Sequence, residues 1–328
     1  MAATTPLREL WDTTRMRLLV EIERQGSVSA AAAAIGIGQP SASQHLRLLE
    51  AAAGQRLVER TGRGSRLTDA GRVLAARAAQ ALSSLGAAEE ELGALAGLRT
   101  GTIHLGSSTA PGVYLLPDTL GCFRRDHPGI TVEVEIAASD EILKRLLSGG
   151  LQLALVGATE ADERIELAPF LEDEIVGVAK PGYAPLKNGT LALAKLSDFM
   201  MLSREPGSSS QLIIDKELRE IGIQPAGRWE LGSSEAIKRA AREGLGLAFL
   251  SRYAVAEEVE RHDLESFRLA GRPRLLRHFS VARLTGRPLS PAESSFITTL
   301  TRCCAKQQDY AQACVAAPTR GKRKAAHA

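Results

Sequence analysis

Residues 27–50 read as two short helices joined by a tight turn, and this pattern constrains the rest of the chain more than any other. Ser29 is a candidate N-cap of the first helix, because its hydroxyl can accept a backbone N–H there. Gly36 and Gly38 suit a sharp reversal, and Pro40 falls in the first turn of the next helix, where its missing N–H costs nothing. That second helix has one apolar stripe, made of Ala42, Leu46, Leu49 and Ala53. The pattern predicts a helix-turn-helix.

The opposite face of the second helix is polar and can reach the base edges or phosphates of DNA. Residues 54–72 then carry an excess of arginine, with Gly62 and Gly64 placed for a turn between two short strands. A solvated alanine-rich hairpin is the alternative interpretation, but a basic turn directly after this helix favours a DNA-binding wing. The predicted DNA contacts are Ser29, Gln39, Pro40, Ser41, Ser43, Gln44, Arg47, Arg63 and Arg66.

A long helix is predicted from Thr68 and Asp69 to about Leu95. Its small and apolar residues alternate by four and three, the spacing of a two-stranded coiled coil; they are Leu74, Ala78, Ala81, Leu85, Ala88, Leu92 and Leu95. The alternative is a helix packed on its own domain. We favour dimerisation, since a helix-turn-helix needs a second copy to bind a two-fold DNA site.

The same block contains a set of residues at characteristic spacings. They are Met16, Leu19, Ile22, Gly26-Ser27, Ala31-Ala32, Ile35, Gln39-Pro40, Ser43, Leu49-Glu50, Gly54, Leu57, Glu59-Arg60-Thr61, Leu67-Thr68 and Ala70-Gly71. With them the segment resembles the LysR-type transcriptional regulators. Gly38 stands at the usual serine cap, Ala53 and Val58 replace larger apolar residues, and Gln44-His45 replace a frequent basic residue and glutamine. The first should cost at most a few tenths of a kcal/mol, the second implies a looser core near the wing, and the third leaves the base preference open.

Residues 102–311 alternate between short strands and helices, which predicts a parallel α/β sheet with helices on both faces. The family resemblance continues through Leu115-Leu116-Pro117, Phe123, His127-Pro128, the run 244–247 and Tyr253-Ala254-Val255. It implies a two-lobed effector domain similar to periplasmic solute-binding proteins. The predicted organisation is a winged helix-turn-helix over 8–67, a linker helix over 68–98, the effector domain over 99–311 and a disordered basic tail over 312–328.

An effector is expected at the carboxyl ends of the strands, where helix N-termini offer unpaired N–H groups. Two such places are rich in hydroxyls, residues 106–109 and 204–210, and the second also supplies a guanidinium suited to an anion. Any single serine there is more often a simple helix cap. The predicted effector-binding residues are Ser107, Ser108, Thr109, Ser139, Arg204, Gly207 and Ser208.

An enzyme is not expected, because the catalytic and phosphate-binding motifs of common enzyme classes are absent from the sequence. The six histidines lack ligand spacing, so we predict no metal and no cofactor. Neither a signal peptide nor a long apolar run is found, which favours a cytoplasmic protein with reduced, inert cysteines and leaves a redox pair as the less favoured option. Two function classes remain: a regulator that binds double-stranded DNA as a homodimer or homotetramer and responds to a small anionic metabolite, or a ligand-binding scaffold that no longer binds DNA.

Overall fold

The computed structural model describes residues 12–61, 64–95, 100–157 and 162–316. The chain begins with three helices and a hairpin. They are α1 (Thr13–Gln25), α2 (Val28–Ala34), α3 (Gln39–Ala53), β1 (Val58–Thr61) and β2 (Gly64–Leu67). Leu19, Ile22, Ala31 and Leu49 are buried together at their centre. The amphipathic helices therefore pack as the predicted helix-turn-helix, and β1 and β2 form the antiparallel wing.

The prediction that Ser29 caps the first helix of the pair is wrong. The Ser27 hydroxyl is the cap, and it accepts a hydrogen bond from the Ala30 backbone N–H at 3.4 Å. Ser29 lies inside α2 with its side chain exposed. Either serine hydroxyl could in principle accept a hydrogen bond from the backbone N–H three residues further on. Because Val28 already has helical geometry, the residue before it takes the capping position.

The residues with coiled-coil spacing lie on the linker helix α4 (Asp69–Leu95), and its two halves differ in their surroundings. In its first half Leu74 packs against the head and Ala78 is buried within the chain. In its second half Leu85 and Leu92 are 49% and 67% exposed. The first half therefore packs on its own chain, whereas Leu85 and Leu92 in the second half remain exposed, and their pairing with a second copy stays a prediction.

Residues 100–316 contain one ten-stranded sheet covered by helices. The strands are β3 (Gly101–Ser108), β4 (Ile130–Ala137), β5 (Leu153–Val156), β6 (Ile165–Ala179), β7 (Thr190–Leu191), β8 (Met200–Ser203), β9 (Gly227–Glu230), β10 (Leu247–Ser251), β11 (Glu265–Leu269) and β12 (Leu275–Leu284). The helices are α5 (Thr109–Tyr114), α6 (Leu116–Asp126), α7 (Ser139–Leu147), α8 (Ser209–Ile221), α9 (Ser234–Arg242), α10 (Arg252–Glu260) and α11 (Pro291–Ala316).

The sheet is mixed, which corrects the expectation of a parallel sheet. Strands β4, β3 and β5 are parallel in the first lobe, and β10, β8 and β9 are parallel in the second. Between them β6 and β12 run antiparallel to each other along both lobes. Each lobe is thus built from crossover units that favour parallel strands, while two long strands connect the lobes.

The final helix, α11, ends at Ala316, within the predicted tail. The first five residues of the predicted disordered tail, 312–316, are therefore helical, and 317–328 lie outside the described residues. Phe296, Leu300 and Cys304 are buried in the core of the first lobe, and this packing stabilises α11 as far as Cys304. No helix among the described residues has the length and apolar character needed to cross a membrane.

Replacing Ser27 with alanine is expected to lower the free energy of unfolding of the head by about 1 kcal/mol, because it removes the cap of α2. Ser29→Ala is the matched control, and it should change stability by less than about 0.5 kcal/mol because this side chain is exposed within the helix. Urea denaturation followed by circular dichroism measures both values. A larger loss from Ser29→Ala than from Ser27→Ala would contradict the assignment.

Candidate functional site

An open groove separates α3 from the wing, and four of the predicted DNA contacts line it: Ser29, Gln39, Ser43 and Arg47. Pro40 and Gln44 are exposed elsewhere on α3, and Ser41 is half-buried. Arg66 lies outside the groove, where its guanidinium pairs with Glu59 at 2.5 Å. Arg63 is not among the described residues. The helix-turn-helix therefore presents one polar helical face beside a basic hairpin.

The same groove is lined by three wing-side residues that were not among the predicted DNA contacts, Arg56, Arg60 and Thr61. Glu50 fixes the groove's shape, because its carboxylate accepts hydrogen bonds from the Leu57 and Val58 N–H groups at 2.9 and 3.2 Å. The helix and the wing are joined by these two bonds. The high arginine content of residues 54–72 could have indicated Arg56 and Arg60 as groove residues.

The second site is a cavity of about 20 Å³ between the lobes of the sheet domain. Five of the seven predicted effector residues line it: Ser108, Thr109, Ser139, Arg204 and Ser208. They converge because each follows a strand end or begins a helix on the same edge of the sheet. The volume suits one water molecule, so the lobes are closed on each other in this structure.

The other two predicted effector residues do not line the cavity. Ser107 is buried and its hydroxyl donates to the Ser108 carbonyl at 3.0 Å. Gly207 has φ +85°, and an added Cβ there would lie 2.8 Å from Asp140 Oδ1. Glycine at this position lets the loop of the second lobe approach the first turn of α7.

Arg204 is the predicted cation of the cleft, and it is 6% exposed. Its Nη1 donates to Ser234 Oγ at 2.7 Å and its Nη2 to Thr109 Oγ1 at 3.2 Å, so it bridges the two lobes. The Glu205 carboxylate, which also lines the cavity, pairs with Nε and Nη2 at 2.8 and 2.6 Å. The guanidinium thus already holds one carboxylate in the bidentate geometry that it prefers.

A second cation of the cleft, Arg277, was missed by the sequence analysis. Its Nη1 donates to Ser209 Oγ at 2.7 Å, and its Nε donates to Asp173 Oδ2 at 2.8 Å. Gly157 makes room for it, since a Cβ there would lie 2.9 Å from both Arg277 Nη1 and Ser209 Oγ. In the sequence, a charged residue inside an otherwise apolar strand could have indicated Arg277.

Asp173 and Arg277 are direct cross-strand neighbours on β6 and β12, and both side chains are buried. The Ser251 hydroxyl donates to the other Asp173 oxygen at 2.8 Å. Burial raises the pKa of Asp173 above its ordinary value, although Arg277 and Ser251 oppose this. The pair fixes the position of Arg277 at the point where the strands pass from one lobe to the other.

Two buried hydroxyls near the cavity, those of Ser139 and Ser203, have no hydrogen-bond partner among the described residues. Ser139 is 5% exposed, lines the cavity and begins the nine-residue helix α7. An unsatisfied buried hydroxyl is disfavoured by about 1–3 kcal/mol. Ser139 is therefore placed to contact a bound molecule.

A second contact between the lobes lies beyond the cavity. The Tyr114 hydroxyl of the first lobe donates to Glu235 Oε1 of the second at 2.8 Å. Lys238 pairs with the same carboxylate at 2.7 Å and lies 5.1 Å from the centre of the Tyr114 ring. Burial and contact with Glu235 raise the pKa of Tyr114 well above its ordinary value. This interlobe latch of Tyr114, Glu235 and Lys238 holds the closed arrangement.

A helix-turn-helix head, a linker helix and a two-lobed domain with a polar cleft define a DNA-binding regulator that carries a ligand-binding domain. Residues 13–72 match the family described as bacterial regulatory helix-turn-helix protein, lysR family, and residues 96–305 match the LysR substrate binding domain. The chain belongs to the LysR family of bacterial transcriptional regulators.

Relatives and a solved structure agree with this family. The chain is 31% identical to the regulator CbbR of Rhodospirillum rubrum, over 88% of this chain and 97% of that one. It is 30% identical to the transcriptional activator CmpR of Synechocystis sp., over 86% and 92%. The CcmR regulatory domain of Synechocystis, solved in complex with 2-PG, is 28% identical with a TM-score of 0.57, over 62% of this chain and 97% of that one.

Arg277→Met is expected to lower the free energy of unfolding by about 3–5 kcal/mol, because it leaves the Asp173 carboxylate buried without its partner. The matched control is Lys195→Met, which removes one partner of the exposed Lys195–Asp198 pair and should cost less than about 1 kcal/mol. Chemical denaturation of both variants measures the difference. Equal losses would show that Arg277 does not stabilise the crossing strands.

Proposed function

We propose that this LysR-family regulator binds a small anionic metabolite between its two lobes, and that this binding controls how a homodimer holds double-stranded DNA. The observation that carries the proposal is the convergence of Arg204, Arg277 and the unpartnered Ser139 hydroxyl on one cavity. Cations and unsatisfied donors together in a buried site favour a negatively charged ligand.

Helix ends add to the preference for an anion. The N-termini of α7 and α8, nine and thirteen residues long, both face the cavity through Ser139 and Ser209. Backbone N–H groups at a helix N-terminus attract negative charge. Glu205 opposes this preference, so the ligand's anionic group takes the place of its carboxylate on Arg204. The lining carries two arginines and one glutamate, and Asp173 behind the lining compensates the charge of Arg277.

Ligand entry requires the lobes to separate, because the cavity holds about 20 Å³. The linker helix can follow that motion, since it is docked on the first lobe. Arg287 Nη1 donates to Ser83 Oγ of α4 at 3.2 Å, and Gly149 lies directly against Ala79. A rotation of the first lobe is thereby transmitted to α4 and to the head at its other end.

The exposed leucines of α4, Leu85 and Leu92, supply the surface for a second copy. A dimer places two α3 helices for the successive major grooves of a two-fold site, and pairing of dimers would give a homotetramer. The DNA contacts come from the groove residues Gln39, Ser43 and Arg47, with Arg56 and Arg60 on the phosphates. As a chromosome-binding regulator it acts in the cytoplasm, through binding and not through catalysis.

Arg47→Ala is expected to weaken DNA binding by about 5–150-fold, the 1–3 kcal/mol of one good base contact. Arg24→Ala is the matched control, because Arg24 pairs with Glu21 on α1 outside the groove; its affinity should equal that of the wild type. Fluorescence anisotropy with genomic fragments bound by the wild type, repeated over a salt series, gives both values. Equal losses of affinity in the two variants would show that the groove does not contact DNA. Absence of salt-dependent binding by the wild type would favour a ligand-binding scaffold.

Ser139→Ala is expected to weaken anion binding about tenfold or more, because it removes a donor to a charged group worth about 1.5–3 kcal/mol. The probes are inorganic phosphate and 2-PG, measured by isothermal titration calorimetry. Ser197→Ala is the control, since that hydroxyl bonds the Ala194 carbonyl outside the cleft. Unchanged affinity in Ser139→Ala would remove this residue from the site.

A further inference from the structure

Helices α6 and α11 pack side by side in the first lobe, and two polar contacts define how they align. Gln307 donates to Asp118 Oδ2 at 2.8 Å, and Arg302 pairs with Asp126 at 2.8 Å. Residue numbers rise along α6 as they fall along α11, so the helices are antiparallel. Cys122 lies one turn from each aspartate, so it faces the stretch of α11 between Arg302 and Gln307, which contains Cys303 and Cys304.

The side chains agree with this alignment. The Cys122 and Cys303 thiols are close enough to influence each other's ionisation, whereas the next cysteine, Cys304, is fully buried in the core of the first lobe. Cys122 is half-buried and Cys303 is 9% exposed. The two thiols therefore form a pair that solvent reaches through Cys122.

Cationic side chains surround the pair. Arg125 Nη2 lies 3.3 Å from Cys122 Sγ as a donor, and Arg302 and Lys306 lie close to Cys303. Burial and contact with Cys122 raise the pKa of Cys303 despite these cations. Positive charge beside a partly exposed sulfur assists its attack on an oxidant, so Cys122 is the attacking residue and Cys303 the resolving one.

We propose that Cys122 and Cys303 are an oxidisable thiol pair that closes into a reversible disulfide between α6 and α11. Hydrogen peroxide is the oxidant. The Cys122 sulfur attacks one peroxide oxygen, the O–O bond breaks, and a sulfenic acid and one water form. The Cys303 sulfur then attacks that sulfur, the S–S bond forms and the hydroxyl leaves as a second water. Two thiols are oxidised while one peroxide is reduced to two waters.

The experiment treats the purified full chain, in a Cys314→Ser background, with hydrogen peroxide and maps tryptic peptides without reduction. Trypsin leaves Cys122 in peptide 100–124 and Cys303 with Cys304 in peptide 303–306. The expected product is a cross-link of these two peptides that dithiothreitol reverses. Retention of all free thiols, or loss to sulfinic acid at Cys122 without a cross-link, would overturn the proposal.

Two serine variants identify the resolving residue. Cys304→Ser is the matched control and should keep the cross-link, whereas Cys303→Ser should lose it and leave a Cys122 sulfenic acid that dimedone labels. A cross-link that survives in Cys303→Ser would assign the resolving role to Cys304 and overturn the pairing. Circular dichroism of each variant confirms that the helices remain folded.

Discussion

The buried ion pair between Asp173 and Arg277 joins the two strands on which both lobes are built. It lies in the crossing segment of β6 and β12, and it is supported by the Ser251 hydroxyl from β10. A buried carboxylate is tolerated only when a cation and hydrogen bonds compensate its lost hydration. The same guanidinium reaches Ser209 at the start of α8 and lines the cleft. One pair of charges therefore fixes both the crossing of the strands and the position of a side chain that lines the cavity between the lobes.

The sequence was most informative where structure depends on neighbours along the chain. The helix-turn-helix, the wing and the linker helix follow from spacing and turn residues, with an error of two residues at the Ser27 cap. Ser108, Ser139 and Arg204 were predicted to lie together because strand ends on one edge of a sheet converge, and they line one cavity. The Asp173–Arg277 pair spans 104 positions, and its register depends on the mixed sheet, so local patterns did not predict it.

The linker helix shows why a single sequence pattern gave two defensible interpretations. Its heptad spacing specifies one apolar stripe but not which surface covers each part. The alanines of the first half allow a close approach to the chain's own lobe, as at Ala79 and Gly149. Leu85 and Leu92 in the second half remain exposed. One helix is thereby attached to its own lobe at one end and available to another chain at the other.

The closed cleft has a consequence for how strongly any metabolite binds. When only a minor population of molecules is open, the apparent affinity falls in proportion to that population. The interlobe latch of Tyr114, Glu235 and Lys238 favours the closed form without lining the cavity. Substitutions there would retune the concentration at which the regulator responds while leaving ligand selectivity intact. Evolution can in this way adjust sensitivity and chemical specificity through separate sets of side chains.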